Sequence, residues 1–211
     1  MPAEAAGLFG TREVFSANLT AFTKWDRVVV RTERDLAAAP AAACGNDGPE
    51  PACAAARWRS FVAELKTLPL RERVERANAV LNRVRYVPAD VNWHDPNHWE
   101  TPYEFLARGG QCQDYAIAKF MALEESGVPD SALRLAVVHD TYSGADHAVA
   151  IVYVEGEALV LDNLVADVRP DRAIDRYVPY YSINREGWWY HLPERTAPTQ
   201  VARLGEWSLT R

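Results

Sequence analysis

The spacing of apolar positions changes once along the chain. Up to about residue 125 they recur at three- and four-residue steps, which predicts amphipathic helices. Val14, Phe15, Leu19, Phe22 and Trp25 share one broad face, so Thr11 to Leu36 reads as mostly helical. Within it Val28-Val29-Val30 is ambiguous, because β-branched side chains also suit strands. Ala37 to Ala56 reads as a loop. Trp58 to Leu68 predicts a helix with Phe61, Val62 and Leu65 inward, ended by Pro69. Leu70 to Val84 predicts another, with Val74, Ala77, Val80, Leu81 and Val84 on one stripe and a mixed-charge outer face from Arg71 to Arg76. A polar, aromatic-rich connection follows from Tyr86 to Glu100. Thr101-Pro102-Tyr103-Glu104 then opens a short helix, with threonine as N-cap, proline first and glutamate third. Gly109 stops it, and Ile117, Phe120, Met121 and Leu123 mark a further helix ending near Gly127-Val128-Pro129.

From Leu133 the period is two. Strands are expected at Leu133–Val138, Ala148–Val154, Ala158–Leu161, Tyr177–Ile183 and Trp188–His191, with a hairpin signal at Glu155-Gly156-Glu157. Helices first and consecutive strands second predict an α+β fold with an antiparallel sheet. One domain over 1–211 is expected, with 1–10 as a flexible lead and 193–211 as a C-terminal tail.

Composition narrows the partners. The 211 residues are 48% hydrophobic and 25% charged, ordinary for a globular protein. A net charge of −6 supplies no basic face, which argues against nucleic acid. No apolar run approaches the roughly 20 residues of a membrane-spanning helix. The start, Met1-Pro2-Ala3-Glu4-Ala5-Ala6, has no basic n-region or apolar core, so no export signal is visible in this sequence. Cys44 and Cys53 flank a stretch with Gly45, Asn46, Gly48, Pro49 and Pro51. The pair reads as a local disulfide, which implies an oxidising compartment such as the periplasm; two unpaired loop thiols are the alternative.

Cys112 is then the odd thiol. Gly109-Gly110-Gln111-Cys112 puts it in the first turn of a helix, where unpaired N–H groups and the helix dipole favour a thiolate. An inert buried cysteine is the plainer alternative. A nucleophile needs a base and a group to orient it. His147 begins one strand and Asp162 ends the next, so hairpin pairing brings them together. Taken singly, His147 reads equally as a strand residue at the surface and Asp162 as a turn residue. For an oxyanion, the Cys112 N–H is the first donor; Gln111, Trp93 and Trp99 are candidates for the second, and either tryptophan is equally suited to packing. His94 and His98 flank Asp95, but Pro96 between them removes the shared helix face a metal would need, so no metal site is expected. His139 and Asp140 read as edge and turn residues.

Gly-Gly-Gln-Cys-Gln-Asp-Tyr-Ala-Ile-Ala-Lys at 109–119 resembles the nucleophile motif of the bacterial transglutaminase-like cysteine proteinases, the LapG-type family. Trp99-Glu100-Thr101-Pro102-Tyr103-Glu104-Phe105-Leu106 resembles its lead-in. His147-Ala148-Val149 and Leu159-Val160-Leu161-Asp162-Asn163-Leu164 resemble its histidine and aspartate motifs. The resemblance spans about residues 70–170. It implies a papain/transglutaminase-like core, with the nucleophile helix packed on the sheet. It assigns nucleophile, base and orienter to Cys112, His147 and Asp162. It also implies a periplasmic protease acting on a large surface adhesin and held by an inner-membrane receptor. Calcium-dependent members carry Asp-Cys-Glu-Asp around the nucleophile. Here Gln111 and Gln113 replace two of those carboxylates, which disfavours calcium and leaves no cofactor expected. Asp114 remains as a cap, a partner for a base, or a remnant ligand. A cysteine endopeptidase is the first expectation. An acyl transferase with the same triad, or a non-catalytic binder on the same fold, are the alternatives.

Overall fold

The computed structural model describes residues 7–38 and 51–193. Strand β1 (Arg12–Ser16) and helices α1 (Thr23–Ala38), α2 (Pro51–Lys66), α3 (Leu70–Leu81), α4 (Ala89–Trp93), α5 (Pro102–Arg108) and α6 (Cys112–Glu125) come first. Strands β2 (Leu133–Asp140), β3 (Ala145–Val154), β4 (Glu157–Leu161), β5 (Arg169–Pro170), β6 (Tyr177–Ile183) and β7 (Trp188–Leu192) follow. They form one antiparallel sheet in the order β1-β7-β6-β2-β3-β4-β5. The fold is therefore α+β, with the expected order of elements.

Helix α6 is the axis of the molecule. Every residue from Gln113 to Leu123 is buried, so it has no solvent face. Ile117, Phe120 and Met121 share one core with Leu133 and Leu135 of β2, Ala148, Ala150 and Val152 of β3, and Leu159 and Leu161 of β4. The opposite face of the sheet is covered as well. Val149, Ile151, Ala136, Val138 and Val160 form a second cluster closed by Leu8 and Tyr177. A central strand buried on both faces reads as continuous apolar sequence, as Ala148-Val149-Ala150-Ile151-Val152 does.

Four expectations are corrected. Residues 12–16 are a strand, not part of a helix; β1 pairs with β7, with Arg12 opposite Leu192 and Ser16 opposite Trp188. A partner some 175 residues away leaves no mark on a local periodicity. The supposed lead is tied down at Leu8, which is buried, and at Phe9, whose N–H donates to Asp171 (2.8 Å). Helix α2 begins at Pro51, inside the expected loop, because proline suits the first helical turn and alanines follow. The connection before Glu100 contains α4, which ends at His94 in the left-handed region (φ 54°). Cys53 lies in the first turn of α2, while Cys44 and the C-terminal tail beyond residue 193 lie outside the described residues, and with them the expected disulfide.

Candidate active site

Two glycines set the position of Cys112. Arg85, Tyr86 and Val87 run beside Gly110, joined by Gly110 N–H to Arg85 O (3.2 Å) and Val87 N–H to Gly110 O (2.9 Å). A Cβ at Gly109 would run into the Arg85 carbonyl, and its φ of 84° is one that other residues rarely adopt. A Cβ at Gly110 would collide with Asp114 and Phe105. The chain turns there and α6 starts at Cys112, which stays partly exposed. The Cys112 N–H belongs to the first turn, where α-helical N–H groups have no partner within the helix.

Asp114 is the cap of this helix. Its Oδ2 accepts the Gln111 N–H (2.9 Å) and its Oδ1 accepts the Glu100 N–H (2.8 Å). Burial pushes its pKa up to about 7, against the pull of those two N–H groups. Glu100 is buried behind it. Its Oε1 accepts from Asn92 (3.0 Å) and from the Trp93 indole (2.7 Å), while Oε2 is buried without a hydrogen bond. The indole N–H of Trp93 is thus already engaged. Its ring is held between His98 (centroids 4.3 Å apart) and Arg108 (4.4 Å). Trp99 is half-buried against the core, and its carbonyl accepts from Arg31 (2.7 Å). Of the three candidate oxyanion side chains, Gln111 is the one adjacent to Cys112 in the chain.

His147 and Asp162 meet across the β3–β4 hairpin. Glu155 and Gly156 both have positive φ, as a two-residue hairpin turn of this hand requires. They set the register Tyr153 opposite Ala158 and Ala150 opposite Leu161. The His147 Nε2 lies 2.9 Å from Asp162 Oδ1, and both side chains are buried. The Cys112 sulfur lies 3.6 Å from Gln113 Oε1, and Cys112 acts on the imidazole by raising its pKa. With Nε2 occupied by Asp162, Nδ1 is the free ring nitrogen. Burial pulls the imidazole down, but the hydrogen bonds and charges of Asp162 and Cys112 outweigh it and lift His147 to about 9. Asp162 is held below the usual carboxylate range. Burial opposes this, and hydrogen bonds from His147, the Tyr177 hydroxyl (2.5 Å) and the Leu164 N–H (2.9 Å) prevail. Asn82, the C-cap of α3, donates to the Asp162 carbonyl (2.8 Å), fixing the backbone there.

Cys112, His147 and Asp162 therefore converge, on three separate elements. A thiol at a helix N-terminus beside an imidazolium anchored by a carboxylate is equipped for nucleophilic attack on a carbonyl and for proton transfer to its leaving group.

Sequence reasoning missed two residues close to this set. Tyr177 sits in an aromatic strand and carries no motif. Lys119, two turns along α6 from Cys112, is fully buried, and its Nζ has no hydrogen-bond partner. A lone lysine within the apolar run Ala116–Leu123 was the available signal. Burial lowers its basicity to about 7, with Asp162 pulling the other way. His94 is exposed, and His98 lies 3.2 Å from Glu104 instead of facing His94. Asp140 is buried and ion-paired with Arg176, so it is more than a turn residue.

Residues 43–197 match the family model of the bacterial transglutaminase-like cysteine proteinases (BTLCP). The chain belongs to this family. It is accordingly a cysteine peptidase with a protein substrate. The LapG structure from Legionella pneumophila is 28% identical, with a TM-score of 0.63, covering 75% of this chain and 87% of that one. Its calcium-bound form is 26% identical, with a TM-score of 0.61 and coverages of 78% and 86%. An EGTA-treated form gives 28%, 0.63, 75% and 84%. No curated protein matches the chain.

LapG is thus a calcium-binding relative, and the residues here do not fit that ion. Gln111 and Gln113 are neutral. Both Asp114 oxygens accept backbone N–H groups, and the carboxyl is buried. Among the described residues, no group of three or more His, Cys, Asp or Glu side chains is placed to hold a metal. Calcium prefers six to eight oxygen ligands with carboxylate charge, which this donor set lacks. Among the described residues, no helix is long and apolar enough to cross a membrane.

Proposed function

We propose that the protein is a cysteine endopeptidase, one catalytic unit over 1–211, working through a Cys112–His147–Asp162 triad and a thioester. The thiolate of Cys112 attacks a peptide carbonyl carbon, and the carbonyl electrons move onto oxygen. Collapse of this adduct expels the amine, which takes the proton of the His147 imidazolium. Neutral His147 then accepts a proton from water as that water attacks the thioester. The new acid departs, and the thiolate–imidazolium pair is restored. Asp162 holds the imidazole with its Nε2 proton toward the carboxylate. The Cys112 N–H receives the oxyanion, with Gln111 as the second donor, since the Trp93 indole is engaged by Glu100.

The observation that carries this proposal is the contact between His147 Nε2 and Asp162 Oδ1 at 2.9 Å, on an imidazole whose pKa Cys112 also raises. A peptide library read by mass spectrometry tests it. The wild type should create new N-termini and Cys112→Ala none; cleavage by the alanine variant overturns the proposal.

The proposed setting is the periplasm, the proposed substrate a large surface adhesin, and the proposed partner an inner-membrane receptor. Family membership and the likeness to LapG support these. So does the proposed Cys44–Cys53 disulfide, which suits an oxidising compartment.

The enzyme is proposed to act without calcium. Alkylation of Cys112 by iodoacetamide should proceed at the same rate, within about twofold, in millimolar calcium and in EGTA, because Gln111 and Gln113 are neutral and both Asp114 oxygens are taken by backbone N–H groups. A melting temperature raised by calcium, together with faster alkylation, would contradict this.

A further inference from the structure

We infer that Tyr177 is a positioning residue for the proposed triad, locking the Asp162 carboxylate and the His147 ring in one arrangement. This rests on the triad proposed above. Its hydroxyl donates to Asp162 Oδ2 (2.5 Å), while Oδ1 of the same carboxylate takes His147 Nε2 and the Leu164 N–H. Its ring lies against the imidazole, centroids 5.7 Å apart and planes at 39°. One side chain thus touches both the proposed base and its orienter.

A carboxylate needs such a hold. The terminal torsion of aspartate is broad and nearly two-fold, so a single partner does not fix which oxygen faces the imidazole. With Oδ2 occupied by a hydroxyl, Oδ1 stays aimed at Nε2.

Tyr177 is itself held by its neighbours. It is buried, and it pairs with Asp140 in the β6–β2 register. Its neighbour Arg176 donates from Nε to Asp140 Oδ1 (2.7 Å). Phe9 packs edge-on against its ring (5.9 Å, 86°), and the Phe9 backbone is anchored to Asp171. These contacts hold the ring beside the carboxylate.

Tyr177→Phe removes the hydroxyl and keeps the ring. Its rate of Cys112 alkylation by iodoacetamide at pH 7 should fall about tenfold, the scale of one hydrogen bond to a charged group. In ¹⁵N-histidine spectra above pH 9, the wild-type His147 should be the Nε2–H tautomer, and the variant should gain the Nδ1–H form. A tyrosine that only stabilises the fold would lower the melting temperature and move neither readout. Added to Asp162→Asn, Tyr177→Phe should cause no further loss, because it acts through that carboxylate. An unchanged rate and tautomer, or an undiminished loss in the Asp162→Asn background, overturns the inference while the triad stands. A wild type no more reactive than His147→Ala overturns the triad itself, and this inference with it.

Discussion

Cys112→Ala should abolish peptide cleavage, and His147→Ala should lower kcat/KM on the order of 10⁴-fold or more, as expected for groups that act as one unit. The thiolate supplies the bonding electron pair, and no neighbouring side chain can replace it. His147 carries the proton the leaving amine must receive. Asp162→Asn should be milder in outcome but more informative in its pH profile. The imidazolium survives in the wild type to about pH 9, so activity should persist up to there and fall above it. The amide removes the negative charge and leaves burial unopposed on that side, so the alkaline limb should move down toward or below 6.5. Initial rates on a cleaved library peptide, measured from pH 5 to 10, check all three variants. An alkaline limb that stays near 9 in Asp162→Asn would show that the carboxylate does not lift His147.

Lys119→Met should stabilise the protein by about 1–4 kcal/mol at pH 7, the range seen when buried ion pairs give way to apolar chains of similar size. The lysine is enclosed in the core, its Nζ without a hydrogen bond, and methionine follows nearly the same path. Burial lowers its pKa in the folded state to about 7, against the ordinary lysine value of 10.5. Between those values the unfolded chain binds more protons, so this group makes stability rise with pH across the window. His147 acts in the opposite direction. Its folded value is raised, so its contribution is complete below 6.5 and lost as pH passes 9. The two offset each other between 7 and 9 in the wild type. Lys119→Met exposes the histidine contribution alone, and its advantage over the wild type should shrink from pH 7 to pH 10.5. Urea unfolding at several pH values measures this. An advantage that does not change with pH would mean that Lys119 does not titrate in this range.

The order of elements was legible because most of them carry their own period. Thr101 and Glu104 form the expected capping box with Pro102 at the first helical position, and Glu155-Gly156 forms the expected hairpin turn. That turn fixes the register that brings His147 to Asp162, so this half of the candidate site was readable from local rules. The start of α2 at Pro51 was a local signal not used, but the other failures at the sheet were set by distant chain. Strand β1 exists because β7 pairs with it, and Leu8 is buried because the back of the sheet needs a cover. Tyr177 reaches Asp162 from β6, which pairs with β2 and not with β4. Asp114, left open between three roles, turns inward to cap α6 because its side chain accepts two backbone N–H groups.

The central proposal is a Cys112 thiolate held by His147. Its most direct test is the rate of Cys112 alkylation by iodoacetamide from pH 5 to 10, in the wild type and in His147→Ala. Fast alkylation at pH 6 in the wild type, reduced at least about tenfold in His147→Ala, is the expected result for a thiolate–imidazolium pair. Equal, slow alkylation of the two proteins, rising together near the ordinary thiol value of about 8.5, would contradict it.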